Sequence, residues 1–213
     1  MFVKELWRYP VKSTAGERVR EAELTLGGIP NDRKVLVVGP DGRVITSRTH
    51  HRLLGLKGAI GADGAPRISG FRWDSPEALE LVKEAVGPGA RLEFYEGVDR
   101  FDVLPLLVAT DGAIAHMGFD GRRLRPNLVI GGVAGLAERQ WPGRRLQVGN
   151  AVIQAAQLRG RCVMTTYDPD TLRQDRSVLR RIVEELDGRL ALDCAVLEGA
   201  VIHEGDPVSL LEE

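Results

Sequence analysis

Two cysteines in 213 residues, Cys162 and Cys194, stand in no C-x-x-C pair. That excludes a disulfide scaffold, a zinc ribbon and a dithiol redox centre, and a reducing compartment becomes the default. Aromatic residues make up only 5% of the chain, too few for a surface built on base stacking. A net charge of -1 with 28% charged residues describes an ordinary solvated surface, so no nucleic-acid partner is expected. No apolar run approaches the length of a membrane span, and Met1–Pro10 carries Lys4, Glu5 and Arg8 without a hydrophobic signal core. The expectation is a cytoplasmic protein with no membrane partner. Internal repeats, low-complexity tracts and linkers are also lacking, so composition marks no domain boundary.

What is present is a succession of short β-rich runs separated by Gly and Pro turns. Met1–Trp7, Glu17–Leu26, Lys34–Val38, Val44–Ser47 and Leu56–Ile60 read as strands in the first third, with Pro40-Asp41-Gly42 as a hairpin turn. Later strands are expected at Arg91–Tyr95, Leu124–Ile130, Leu146–Asn150, Val152–Leu158, Leu190–Leu197, Ala200–His203 and Pro207–Leu211. Helices are few. Ser75 as N-cap with Pro76 at the first helical position predicts one ending at Gly87. Thr110-Asp111 caps a short one through Met117, and Asp175–Leu186 is the clearest, with Val178, Ile182, Val183 and Leu186 on one face. The fold class is therefore mainly β with a few short helices, closed into a barrel or sheet.

Four loops share a feature: Lys12-Ser13, Asp32-Arg33, Ser47-Arg48 and Arg125-Pro126-Asn127 each put a cation at a strand end or turn. Guanidinium forks suit phosphate and planar heteroaromatic groups, and a lysine suits phosphate as a point charge. Converging at one barrel mouth, they would make an anion pocket, with Asn127 free to read a ring edge. Left apart, they are solvated cations and nothing more. Periodicity does not decide between the two.

A fifth segment, Arg159–Thr171 (RGRCVMTTYDPDT), carries the thiol of Cys162 directly after Arg161. A cysteine beside a guanidinium favours the thiolate, which is a nucleophile or a soft metal ligand. The alternative is a small core residue closing the apolar run Ala151–Leu158. Asp168-Pro169-Asp170-Thr171 reads as a turn, its carboxylates turn-formers rather than ligands. Cys194 belongs to the core, and the four histidines fit no ligand spacing.

Together these segments, with Tyr9-Pro10-Val11-Lys12-Ser13 at the start and Gly205-Asp206-Pro207-Val208 at the end, resemble the MOSC family. That family includes the C-terminal domain of molybdenum cofactor sulfurase and the amidoxime-reducing proteins. The resemblance implies a MOSC-type β-barrel over residues 101–213, interleaved with a smaller N-terminal β-barrel region over residues 1–100. It implies the molybdenum cofactor in its molybdopterin form, with Cys162 as both metal ligand and catalytic residue. Lys12, Ser13, Arg33, Ser47, Arg48, Arg125, Asn127 and Arg161 would hold phosphate and pterin. Thr165 and Thr166 would support the loop or the metal's oxo ligands. The implied activity is reduction of small N-hydroxylated or N-oxide compounds. No flavin, haem or iron–sulfur motif is present, so electrons would come from a ferredoxin-, flavin- or cytochrome-type protein. Two alternatives stay open: a sulfur-transfer protein carrying a persulfide on Cys162, served by a cysteine desulfurase, or a non-catalytic carrier of the cofactor. The sulfurase's pyridoxal-phosphate domain has no counterpart here, so pyridoxal phosphate is not expected.

Overall fold

A computed structural model describes residues 1–212. Fifteen strands and three helices follow one another along the chain. The first third holds β1 (Phe2–Arg8), β2 (Glu17–Val19), β3 (Glu21–Leu24), β4 (Val35–Val38), β5 (Gly58–Ile60), β6 (Pro66–Ile68) and β7 (Phe71–Arg72). Helix α1 (Pro76–Val86) and β8 (Arg91–Phe94) precede β9 (Leu106–Thr110), α2 (Asp111–Met117) and β10 (Leu128–Gly131). The remainder is β11 (Arg145–Val148), β12 (Ala151–Gly160), α3 (Arg176–Leu186), β13 (Arg189–Glu198), β14 (Ala200–His203) and β15 (Val208–Leu210).

Eight strands form one sheet in the order β15-β11-β12-β13-β9-β10-β1-β2, antiparallel throughout except for the β9–β10 pair. The far edge then returns to β1. Phe2 bridges Pro207, the Val3 amide donates to Asp206 O at 2.9 Å and the Val208 amide to Met1 O at 3.0 Å. The sheet is thereby closed into a barrel, as the pattern of short strands led us to expect. Closure removes the unpaired edge that an open sheet would leave.

Alternation along the strands sorts side chains between two cores. On β9, Leu106 and Val108 enter the barrel interior with Leu6, Ile130, Ile153, Leu192 and Cys194. Ala109 faces outward to a second cluster, where Met117 of α2 meets Val178, Ile182 and Leu186 of α3. Cys194 is fully buried, and burial pushes its thiol well above the ordinary range, so it is a core residue. A third cluster (Val11, Val35, Val37, Leu53, Ile68, Ala78 and Val82) underlies β4, β8 and α1.

Three expectations need correction. The returning strand at Val44–Ser47 is absent beyond a single bridge from Val38 to Val44. The Thr46 carbonyl accepts instead from the Thr49 and His50 amides at 3.2 and 3.0 Å, curling the chain away from the ladder. β10 begins at Leu128, not Leu124, because Asp120 caps a 3₁₀ turn over Gly121–Leu124 and Arg125 leaves it at φ 57°. On α3 the buried stripe is Val178–Ile182–Leu186 at strict i, i+4 spacing, and Val183 lies 53% exposed.

Candidate functional site

The chain leaves β1 through Tyr9-Pro10-Val11-Lys12-Ser13, and this segment is zipped to Asp32–Val35. Tyr9 donates its amide to Asp32 Oδ1 at 2.7 Å, Arg33 to Tyr9 O at 2.7 Å, and Lys12 to Val35 O at 2.8 Å. The Tyr9 ring then serves as a pillar. The guanidiniums of Arg125 and Arg33 lie over it at 4.4 and 4.9 Å, and its hydroxyl donates to Pro126 O at 3.1 Å. Ser13, Arg33 and Arg125 all adopt left-handed backbone, at φ 73°, 56° and 57°. Non-glycine residues avoid that region at a cost of roughly 1–2 kcal/mol each, and such residues gather at functional sites.

These loops open onto a cavity at the end of β12, where the barrel meets the N-terminal region. Seven cations line it: Lys12, Arg33, Arg48, Arg123, Arg125, Arg159 and Arg161. Two carboxylates, Asp102 and Asp193, face them. The imbalance selects an anionic ligand.

Internal partners divide the cations. Asp102 takes Lys12 Nζ at 3.2 Å, Arg48 Nη2 at 2.7 Å and Arg159 Nη2 at 3.0 Å, while Arg159 Nη1 reaches Asp193 at 3.0 Å. Burial works against the Asp102 charge, but those three cations outweigh it and hold the carboxyl below its usual range. Arg33 is paired with Asp32, and Arg123 donates to Asp168 at 3.2 Å. Among the described residues, no carboxylate forms a salt bridge with Arg125 or Arg161. Arg125 donates to Thr14 O; Arg161 donates to Leu124 O at 2.8 Å and keeps a buried Nε with no hydrogen-bond partner. Burial accordingly pushes both guanidiniums down to about 10. A ligand anion would supply what these two lack.

Cys162 follows directly. β12 delivers Arg159 and Gly160, and the Arg161 amide donates to Gly188 O at 2.8 Å. Cys162 is extended at φ -136° and half-buried, and it precedes a 3₁₀ turn over Val163–Thr166. Its side chain shares the cavity wall with Arg48 and Arg161. Gly160 lies on the same wall, and a Cβ there would meet nothing within 4 Å. The following turn is pinned from outside. Asp168 Oδ1 accepts from the Asp170 and Thr171 amides at 3.1 and 2.9 Å, as expected of a turn-former, and Arg122 clasps Asp170 at 2.6 Å.

Lys12, Ser13, Arg33, Arg48, Arg125, Asn127, Arg161 and Cys162 therefore line one cavity. Three of the residues expected beside them do not. Ser47 is fully buried behind its neighbours Thr46 and Arg48, and its Oγ has no partner among the described residues. The Thr165 and Thr166 hydroxyls turn inward, donating to Cys162 O at 2.9 Å and Val163 O at 2.6 Å. They support the Cys162 loop rather than face a ligand. Asn127 reaches the cavity, but its amide is not free to read a ring edge. Its Oδ1 accepts from the Leu107 amide and Arg33, and its Nδ2 donates to Asp32. Asp102, Arg123, Arg159 and Asp193 were missed. Arg159 sat inside the conspicuous RGRC stretch, whereas Asp102 is one carboxylate in an apolar run and gave no signal.

Among the described residues, no group of three His, Cys, Asp or Glu is arranged to hold a metal ion. A metal here would take Cys162 as its protein ligand and find its other ligands on a cofactor. The donor set fits such a group: one accessible thiol, two guanidiniums without an anion, and a lysine–arginine cluster beyond them.

The MOSC N-terminal beta barrel domain matches residues 1–72 and the MOSC domain matches residues 109–209. The chain belongs to the MOSC family. Mitochondrial amidoxime reducing component 2 of Homo sapiens is 27% identical over 82% of this chain and 69% of its own length. Human mitochondrial amidoxime-reducing component 1 is 26% identical over 79% of this chain and 67% of its own. The YuaD protein of Bacillus subtilis superposes with a TM-score of 0.53 at 15% identity, covering 98% of this chain and 93% of that one, a likeness of fold alone. Among the described residues of this MOSC protein, no helix is long and apolar enough to cross a membrane.

Proposed function

We propose that this MOSC protein binds the molybdenum cofactor in its molybdopterin form and reduces small N-hydroxylated or N-oxide compounds with electrons from a separate carrier protein. One observation carries it: the Cys162 side chain lines the same cavity as Arg125 and Arg161, two guanidiniums that form no salt bridge among the described residues. Relatives named as amidoxime-reducing components support the reaction class. Bound there, the cofactor supplies a two-electron centre able to take an oxygen atom from an N–O group.

The chain's own part is binding and orientation. Cys162 would ligate the metal, and Arg48 and Arg161 would hold the thiolate charge beside it. Lys12, Arg48 and Arg159 would carry the cofactor's phosphate, and Arg125 and Arg161 the remaining negative charge. Arg33, Asp32 and Asn127 hold the Tyr9–Ser13 segment in register, which fixes where Lys12 points.

The test is molybdenum content by mass spectrometry and pterin fluorescence after oxidation, on protein from a host that makes the cofactor. Near-stoichiometric molybdenum and pterin are expected. In Cys162→Ser, molybdenum falls while pterin, held by the untouched cations, is largely retained. Wild-type protein with neither overturns the assignment and puts a persulfide on Cys162 ahead. Loaded protein should turn over poorly without a redox partner, and robust turnover on NADH alone contradicts the need for one.

A further inference from the structure

We infer that Asp102 is the cavity's built-in counter-ion: its carboxylate occupies the Lys12–Arg48–Arg159 cluster where an oxyanion of the ligand binds, and it must yield for that anion to enter. The idea rests on the anion-binding part of the function proposed above but not on the metal or the reaction.

The geometry is that of a stand-in ligand. Three cations from two loops and the end of β12 converge on one carboxylate, Lys12 on Oδ1 at 3.2 Å, Arg48 and Arg159 on Oδ2 at 2.7 and 3.0 Å. An oxygen-rich dianion would be met in the same way. Asp102 and Asp193 share Arg159 yet are differently placed. Asp193 has 2% of its side chain exposed and also accepts from Gln157, a fixed structural partner. Asp102 has 33% of its side chain exposed and lines the cavity. It comes from the bent segment before β9, so its side chain can swing toward the mouth while the backbone stays anchored. That anchor is Arg100, whose carbonyl accepts from Lys12 at 2.6 Å and whose guanidinium donates to the carbonyls of Asp32, Glu96, Gly97 and Gly27.

Asp102 and Asp193 together set two negative charges against three positive ones, which leaves the cluster stable without ligand and still attractive to an anion. The carboxylate also sets a threshold. A small free oxyanion must displace it using contacts at this cluster alone. A larger ligand brings further contacts at Arg125, Arg161 and Cys162, and these outweigh the displacement. Asp102 thus acts on selectivity, keeping inorganic phosphate out of a pocket whose cations would otherwise collect it.

The experiment uses the full chain from a host unable to make the cofactor, with inorganic phosphate as the probe in calorimetric titration and thermal shift. Asp102→Asn is expected to bind phosphate about tenfold more tightly than wild type, with a steeper dependence on salt. Its ligand-free melting temperature is lower, and phosphate raises it more than in wild type. Asp102→Ser repeats the ordering should the asparagine variant fold poorly. In the double variant Asp102→Asn with Lys12→Gln, the gain disappears, which places the anion at this cluster and not at Arg125 and Arg161. Phosphate binding that is unchanged or weakened in both Asp102 variants overturns the inference, because a positioning carboxylate would give that result. A negative molybdenum result with wild-type protein leaves this outcome untouched, so the two ideas fail separately.

Discussion

Ser13 lines the cavity with its backbone at φ 73°, where a Cβ crowds the chain and glycine does not. Ser13→Gly should therefore raise stability by about 1 kcal/mol. Chemical denaturation checks this, and a lowered midpoint would mean that the hydroxyl holds the loop by contacts worth more than the strain. Single residues were unevenly legible. Lys12, Arg33, Arg48 and Arg125 stood out as cations at strand ends or turns, and Cys162 as a lone thiol beside the Arg161 guanidinium. Asp102 did not stand out, because its role exists only where three distant segments of the chain meet. Ser47, Thr165 and Thr166 carry the right chemistry, yet their backbones turn it inward, and side-chain direction in irregular loops has no period to read.

At the scale of elements, local rules worked where the cause was local. Ser75 accepts from the Ala78 amide at 3.2 Å, and Thr110 from the Ala113 amide at 3.2 Å, both at N-caps foreseen from sequence. Where tertiary contacts decide, the rules stopped short, as at Val44–Ser47 and the start of β10. The β9–α2 junction carries a pH dependence of its own. Glu138 is fully buried, donated to by Thr110 Oγ1 at 3.1 Å on one oxygen and unpartnered on the other. Burial raises its carboxyl above the usual range. The folded state thus holds this proton more tightly than the unfolded chain, and stability from this site is full below the ordinary glutamate pKa and declines as pH rises through the folded value. Glu138→Gln should remove the decline, leaving the variant more stable than wild type at pH 7.5 by about 1 kcal/mol and closer to it at pH 4.5. A stability difference that does not change between the two pH values would show that Glu138 is ionised in the fold.

At the scale of the whole molecule, a closed barrel was foreseeable from strand count and turn spacing, but the closing contact was not. It joins residues at opposite ends of the chain. Arg100 is the other long-range tie. Its guanidinium donates to carbonyls of Gly27, Asp32, Glu96 and Gly97 and packs over Phe101 at 4.2 Å, and it is itself buried. Arg100→Ala leaves those carbonyls without their donor, an expected loss of about 3 kcal/mol seen as a lower melting temperature. A loss under 1 kcal/mol would show that water replaces the guanidinium freely. The same variant should loosen Lys12, whose amine rests on the Arg100 carbonyl.

The bridge between Phe2 and Pro207 also sets a timetable for synthesis. At roughly 5–20 residues per second, a ribosome makes Phe2 some 10–40 s before Pro207 exists to meet it. Through that interval the outer edge of the first strand stays open to water and to other chains. The ligand's wall is likewise incomplete until Asp193 has been added. Sealing of the barrel and capture of a ligand thus both wait for the last strands, and a nascent polypeptide stalled before them would carry the site's first cations but hold nothing with them.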